Sequence, residues 1–175
     1  MRVLVTLKVP TSVVQKMDVF KKKYFPAGFR KIPSHITLLA PFDLAGDFHV
    51  FTNELSKIAQ NFSPFPLAIN GLGIFHEKVL FFYFTKPDGL GRLQQEVLSA
   101  ITSAYRRETK RKNQDADEYH PHSTISISSA ERIIKYKAEI ERSLPKLNFL
   151  VDGVTVYVWR RDYWRLEKEL EFHSQ

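Results

Sequence analysis

Cysteine is absent from the 175-residue chain. That excludes disulfides, thiolate nucleophiles and cysteine-held zinc, and it suits a reducing compartment. Long apolar runs are missing too: the longest, Val79 to Phe84 (VLFFYF), is far too short to cross a bilayer. The opening segment MRVLVTLKVP is interrupted by Thr6 and Lys8, so no secretory leader is expected. These absences predict a cytoplasmic protein with no membrane partner. Acidic side chains are in the minority: 26 Lys and Arg against 19 Asp and Glu leave a net charge of +7. Such a balance attracts polyanions over long range, nucleic acid among them. What is present suffices for a core, since 43% of residues are hydrophobic. Disorder is therefore a poor reading, and one domain or two small lobes sharing a core is the expected organisation.

The periodicities divide the chain into two similar halves. Residues 2–9 alternate, with Val3, Val5, Leu7 and Val9 on one face of a strand. Ser12 and Gln15 have capping-box spacing ahead of a helix carrying Val13, Met17, Phe20 and Tyr24. IPSHITLLAPF reads as a second strand, and Phe51, Leu55, Ile58 and Phe62 as a second helix. FPLAINGLGIFH continues as an extended, glycine-bent segment. The order then repeats with a buried strand at 79–84, a turn at Pro87-Asp88-Gly89 and a helix carrying Leu93, Val97, Ile101 and Tyr105. HPHSTISIS is a strand, and Ser128 and Glu131 have capping-box spacing before a helix with Ile133, Ile140 and Leu144. Residues 149–159 read as one strand. The last segment alternates, with Trp164, Leu166, Leu170 and Phe172 on one face and Arg165, Glu167, Glu169 and Glu171 opposite. The charged stretch 106–119 is expected as an exposed loop. Lobes of approximately 1–78 and 79–175, open to exchanging strands, would make one domain over 1–175. No long apolar stripe is left over, so a monomer is expected.

The second strand of each half carries the same polar pattern. Side chains on a strand point alternately to opposite faces. His35 and Thr37 therefore share a face while Ile36 and Leu38 point away, and His122 and Thr124 share a face with Ile125 and Ile127 opposite. A rough two-fold between the halves would bring two imidazoles and two hydroxyls to one cleft. That set suits a phosphodiester. A neutral imidazole takes a proton from the attacking hydroxyl or water, a protonated one gives a proton to the leaving oxygen, and the hydroxyls donate to the non-bridging oxygens. No metal or covalent intermediate is needed.

Paired His-x-Thr strands in a duplicated α+β chain resemble the 2H phosphoesterase superfamily, whose members include the bacterial 2′-5′ RNA ligases, also described as RNA 2′,3′-cyclic phosphodiesterases. The resemblance covers nearly the whole chain in element order and rests on His35-Ile36-Thr37 and His122-Ser123-Thr124. It implies an α+β fold of two pseudo-symmetric lobes, each an antiparallel sheet with helices packed outside, around a central cleft. It implies hydrolysis of a 2′,3′-cyclic phosphate to a 2′-phosphate, and in some members joining of RNA through 2′-5′ bonds, with no cofactor. His35 and His122 would be the catalytic acid–base pair, in an order the sequence leaves open, and Thr37 and Thr124 the phosphate contacts. The partner is an RNA or nucleotide with a 2′,3′-cyclic phosphate.

Other readings stand beside this one. A small nucleotide, such as an ADP-ribose cyclic phosphate or a 2′-5′ oligoadenylate, is an alternative substrate. A non-catalytic RNA-binding module is an alternative function. His120 and His122 form a His-x-His that could ligate a metal, but no carboxylate stands at obvious spacing to complete a site; His120 is otherwise expected at the mouth of the cleft. Lys21, Lys22, Lys23, Arg30 and Lys31 before His35, Arg106, Arg107, Lys110, Arg111 and Lys112 before His122, and Arg160 and Arg161 are candidates to guide an RNA backbone. Phe42, Phe75 and Tyr119 are candidates to stack on a base. The bland reading of each is a solvated charge or a core aromatic.

Overall fold

The computed structural model describes residues 1–104 and 119–173. The stretch expected as a loop lies outside them except for Tyr119, as does the basic cluster from Arg106 to Lys112. The elements run β1 (Arg2–Leu7), α1 (Thr11–Tyr24), α2 (Pro26–Lys31), β2 (Thr37–Asp43), α3 (Phe48–Ala59), β3 (Phe65–Phe75), β4 (Val79–Phe84), α4 (Leu90–Ala104), β5 (His122–Ile127), α5 (Ala130–Glu141), β6 (Asn148–Val151), β7 (Gly153–Arg160) and β8 (Tyr163–Glu171). Two four-stranded sheets result, in the orders β2-β1-β7-β8 and β5-β4-β3-β6. The strand pairings are antiparallel, and this is the expected α+β fold of two sheets with helices outside.

Each sheet draws strands from both halves of the sequence. The region expected as a single strand, 149–159, is two strands with Asp152 between them. β6 pairs with β3 in one sheet, β7 pairs with β1 in the other, and the chain steps across at that residue. The step is tight. A Cβ on Gly153 would stand 2.3 Å from the Leu170 carbonyl oxygen, so this position requires a residue without one.

Bulges change which side chains share a face. Lys168 pairs with Val156 and Leu166 with Tyr157, so Glu167 is the extra residue of a bulge. Leu166 therefore joins Glu169 on the Tyr157 face, while Leu170 lies on the opposite face with Val154 and Val156. The strict alternation expected for this segment does not hold. In β5 the same device at Ile125 puts Ser126 opposite Leu80, in the core, and turns Ile127 outward, where it is 52% exposed.

The capping boxes are displaced as well. Val13 and Val14 donate to the Pro10 carbonyl, so α1 starts at Thr11 and Ser12 is already inside its first turn. Ile133 donates to Ser129, so α5 starts one residue later than Ser128 requires. Neither helix has a side-chain cap, whereas the Asp47 carboxylate caps α3 through the His49 and Val50 amides.

One apolar core joins both sheets. It includes Ile36 just before β2, Leu38 and Phe42 from β2, Phe82 from β4 and Ile125 from β5, each no more than 2% exposed. Although α1 comes from the first half, it packs on β5 of the second sheet. Phe20 meets Phe82 edge to face at 5.5 Å, and the Ser126 hydroxyl donates to the Tyr24 carbonyl at 2.9 Å. The outer helices therefore do more than shield the sheets: α1 ties the two sets of strands together. Phe42 packs edge to face on Phe51 at 5.9 Å. Phe42→Ala should lower unfolding stability by about 3–5 kcal/mol in urea titrations while leaving turnover of the folded fraction unchanged. A lost turnover at undiminished stability would place the ring in the cleft instead.

Candidate active site

His35 stands two residues before β2 proper, where the chain still follows β1: the Leu7 amide donates to the Ile36 carbonyl at 2.9 Å. Ile36 is fully buried, and His35 and Thr37 are half-buried on the other face, as the alternation predicts. Thr6 pairs with Thr37 on one side and with Thr155 on the other, so three threonines lie abreast across β2, β1 and β7. The hydroxyls of Thr6 and Thr155 are hydrogen-bonded to each other. Beside His35 this face walls a cavity of about 150 Å3 that also touches Ser34, Lys8, Tyr157 and Glu169. Thr6 and Thr155 were not singled out from sequence. Their signal was a single threonine within each of two largely apolar central strands.

The second motif sits on β5. His122 and Thr124 are half-buried, and Ser123 is 1% exposed on the core side. His122 pairs with Tyr83 and Thr124 with Phe81, and these two aromatics face Gly71 and Gly73 on β3. A Cβ at Gly73 would come within 2.3 Å of the Phe81 ring, and at Gly71 within 2.7 Å of the Tyr83 ring. The glycine-bent segment thus lets two aromatic rings lie flat over the backbone. His122 meets Phe75 and Phe81 edge-on at 5.1 and 5.3 Å, and those two rings stack at 4.0 Å. A cavity of about 230 Å3 opens here, lined by Phe75, Phe81, Tyr83, Lys86 and His120.

Both imidazoles are held in the same way. Nδ1 of His35 lies 2.8 Å from the Pro33 carbonyl, and Nδ1 of His122 lies 2.9 Å from the His120 carbonyl. A carbonyl only accepts, so each Nδ1 carries the proton and each Nε2 is the free basic nitrogen. The two motifs are tied together by Tyr119, a buried residue just before the second motif, whose hydroxyl donates to the Thr37 carbonyl at 2.9 Å. They are also electrically linked. Burial is the largest cause that pushes His35 down to about 3, followed by the Lys21 ammonium, and a charge on His122 acts in the same direction; the Pro33 carbonyl opposes them. His122 is lowered too, first by burial.

The remaining candidates separate. Phe42, 1% exposed in the core, has no face to offer a base, and Tyr119 is committed to joining the motifs. Phe75 does border the cavity beside His122, and His120 is exposed at that cavity. Arg30 and Lys31 are exposed in the last turn of α2. Arg160 shares the Val156 and Val158 face of β7, opposite to Thr155 and Tyr157, and its guanidinium is bound to Glu167 at 2.7 Å. The expected basic cluster on α1 breaks up. Lys22 lies over the Phe29 ring, Lys23 pairs with Glu139, and Lys21 is buried. Among the described residues no group of three or more His, Asp or Glu side chains is placed to hold a metal ion.

Comparison with known proteins gives a consistent answer. Residues 9–163 match the family model described as the 2′-5′ RNA ligase superfamily. A Bacillus cereus (strain B4264) protein named "Putative phosphoesterase" is 30% identical over 128 residues, which span 70% of this chain and 69% of that one. Among solved structures, Escherichia coli LigT complexed with 3′-AMP superposes with a TM-score of 0.62 at 18% identity, over 99% of this chain and 98% of its own. TT0787 of Thermus thermophilus gives 0.63 at 16% identity, over 98% and 97%. Kluyveromyces marxianus Usb1 with uridine monophosphate gives 0.54 at 12% identity, over 97% of each chain.

The depressed His35 basicity has a consequence for stability. Between the ordinary value of 6.5 and about 3, the unfolded chain binds a proton here that the folded protein refuses. The contribution is therefore complete above pH 6.5 and is lost as pH falls through that window. In His35→Gln the decline of unfolding free energy with acid should be shallower, by up to about 1.4 kcal/mol per pH unit. Urea titrations at a series of pH values measure this, and identical slopes in both proteins would mean that the ring is not shielded.

Proposed function

The chain belongs to the 2′-5′ RNA ligase superfamily, and from that premise we propose that it is a metal-independent phosphoesterase that opens 2′,3′-cyclic phosphate ends of RNA to 2′-phosphates, the same site being suited to forming or cleaving 2′-5′ linkages. The observation that carries the reading is the pair of half-buried imidazoles, each pinned through Nδ1 to a carbonyl two residues back and each followed by a threonine on its own face. In the opening reaction a water oxygen bonds to phosphorus while one Nε2 takes its proton. The bond from phosphorus to the ribose 3′ oxygen breaks, and the other imidazolium gives that oxygen a proton. The hydroxyls of Thr37 and Thr124 donate to the non-bridging oxygens, where negative charge grows.

Three further features support a nucleotide substrate. The chain carries a net charge of +7, which favours a polyanion. Two structural neighbours carry nucleoside monophosphates, 3′-AMP in one and uridine monophosphate in the other. The cavity beside His122 is walled by Phe75, Phe81 and Tyr83, side chains suited to the face of a base.

The test is end-opening of an oligonucleotide with a 2′,3′-cyclic phosphate in the presence of EDTA, with a cyclic mononucleotide assayed alongside. Turnover should survive the chelator, and His35→Ala and His122→Ala should each lose about 10²–10⁴-fold with melting temperatures close to that of the parent. Activity that vanishes with EDTA, or that survives either substitution, would refute the assignment. Faster turnover of the mononucleotide than of the oligonucleotide would redirect it to a small nucleotide substrate.

A further inference from the structure

Helix α1 presents two buried charged side chains to the loop before His35, and the chemistry above uses neither. Asp18 is 7% exposed and accepts the Ser34 amide at 2.7 Å. Lys21, one turn further on, is 3% exposed, and its ammonium donates to the Pro33 carbonyl at 3.1 Å. That carbonyl is also the acceptor for His35 Nδ1. One oxygen therefore holds both an ammonium and the ring that is expected to move a proton. Lysine is rarely buried, because taking its charge out of water is costly. An apolar side chain would fill this side of the helix as well, so the charge calls for a function.

The second motif is built differently. His122 also rests on a carbonyl, but among the described residues the causes acting on it are burial, that carbonyl and the neighbouring His120, and Lys86, which lines the cavity there, is not one of them. The two imidazoles are thus alike in tautomer and unlike in electrostatic surroundings. The charged and titratable groups around His35 come from every neighbouring element: Asp18 and Lys21 from α1, Lys8 from β1, His122 from β5, Tyr157 from β7 and Glu169 from β8. Lys8 is paired with Asp152 and Glu171 at the sheet edge. Of the six, Lys21 and His122 are those whose charge bears on the ring. A bound phosphate favours protonation of a nearby imidazole, and the imidazole less opposed by a neighbouring ammonium responds; burial lowers Lys21 itself to about 8, with Asp18 opposing, so its charge is present below that pH.

We propose that Lys21 is a positioning residue: held on the carbonyl that receives the His35 ring, it adds to burial in opposing a proton on His35 and so biases His35 toward proton acceptor and His122 toward proton donor when the cyclic phosphate opens. This assignment of roles rests on the phosphoesterase reading given above; the effect of Lys21 on the ring does not. The attacking water gives its proton to His35 Nε2 as its oxygen bonds to phosphorus. As the bond to the ribose 3′ oxygen breaks, the Nε2 proton of His122 passes to that oxygen, leaving a 2′-phosphate and a 3′-hydroxyl.

The experiment has two arms. Nitrogen-15 NMR of the histidine rings, followed from about pH 4 to about pH 8, reads His35 directly in the parent protein, Lys21→Met and Lys21→Arg. The parent ring should stay neutral with Nδ1 protonated throughout. In Lys21→Met protonation should set in at higher pH, by about one unit, and Lys21→Arg, which restores the cation, should resemble the parent. A His35 that titrates identically in Lys21→Met and parent overturns the proposal, as does a parent His35 that titrates near the ordinary histidine value. Should Lys21→Met fail to fold, Lys21→Gln provides a second uncharged variant for the same comparison. The other arm uses a nitrophenyl nucleotide diester, whose leaving group departs without a proton. On it His122→Ala should regain at least about tenfold relative to its deficit on the cyclic phosphate, and His35→Ala should not. Rescue of His35→Ala instead reverses the roles and sinks the proposal. Absence of turnover by the parent on every diester refutes the phosphoesterase reading, whereas an unshifted His35 in an active Lys21→Met enzyme refutes the role of Lys21 alone.

Discussion

The hydrogen bond from an imidazole Nδ1 to the carbonyl two residues earlier governs the rest of the site. Made twice, by His35 to Pro33 and by His122 to His120, it settles in each ring which nitrogen carries the proton. It also removes the freedom of the ring to turn, so that the basic nitrogen is presented in one direction. The bond is only as stable as the backbone that supplies its acceptor. Much of the surrounding packing consequently serves to hold two short stretches of main chain in place.

Helix α1 does this for the first motif. One part of its surface meets the second sheet through Phe20 and the Tyr24 carbonyl, and another part meets the Pro33-Ser34 loop through Asp18 and Lys21. Tyr119 performs the complementary task by reaching from the second motif to the Thr37 carbonyl of the first. Neither connection depends on the sheets touching along an edge. The two sheets are positioned relative to each other through a helix and a phenol, and through the crossing at Asp152, where β6 in one sheet gives way to β7 in the other. The polar side chains that make these connections are buried, and each has a stated partner, which is the condition under which burial of polar groups is tolerated.

The surfaces around the two histidines differ in chemistry. Around His35 the surface is hydroxylic, with Thr37, Thr6 and Thr155 abreast and Tyr157 and Glu169 nearby. Around His122 it is aromatic, with Phe75 and Phe81 stacked and Gly71 and Gly73 leaving room for the rings. The pseudo-symmetry of the chain thus extends to the strand order and the histidines but not to the surfaces around them.

Period-two alternation was enough to place His35 with Thr37 against Ile36, and His122 with Thr124 against Ser123, because a strand side chain has only two directions available. The number and kind of most elements could be read for the same reason. The short helix α2, the split at Asp152 and the bulges at Ile125 and Glu167 could not be read, since each is dictated by what a strand or turn meets across space. Phe42 looked available for a base because it follows the first motif, yet its partner strand turns it into the core. Lys21 looked like one of three equivalent solvated lysines, and only the approach of the Pro33 loop to α1 singles it out. Local order along the chain therefore determined which residues share a face and which chemistry is present. The tertiary structure decided which faces meet, which charges are buried and how the two rings differ, because those depend on contacts between residues far apart in sequence.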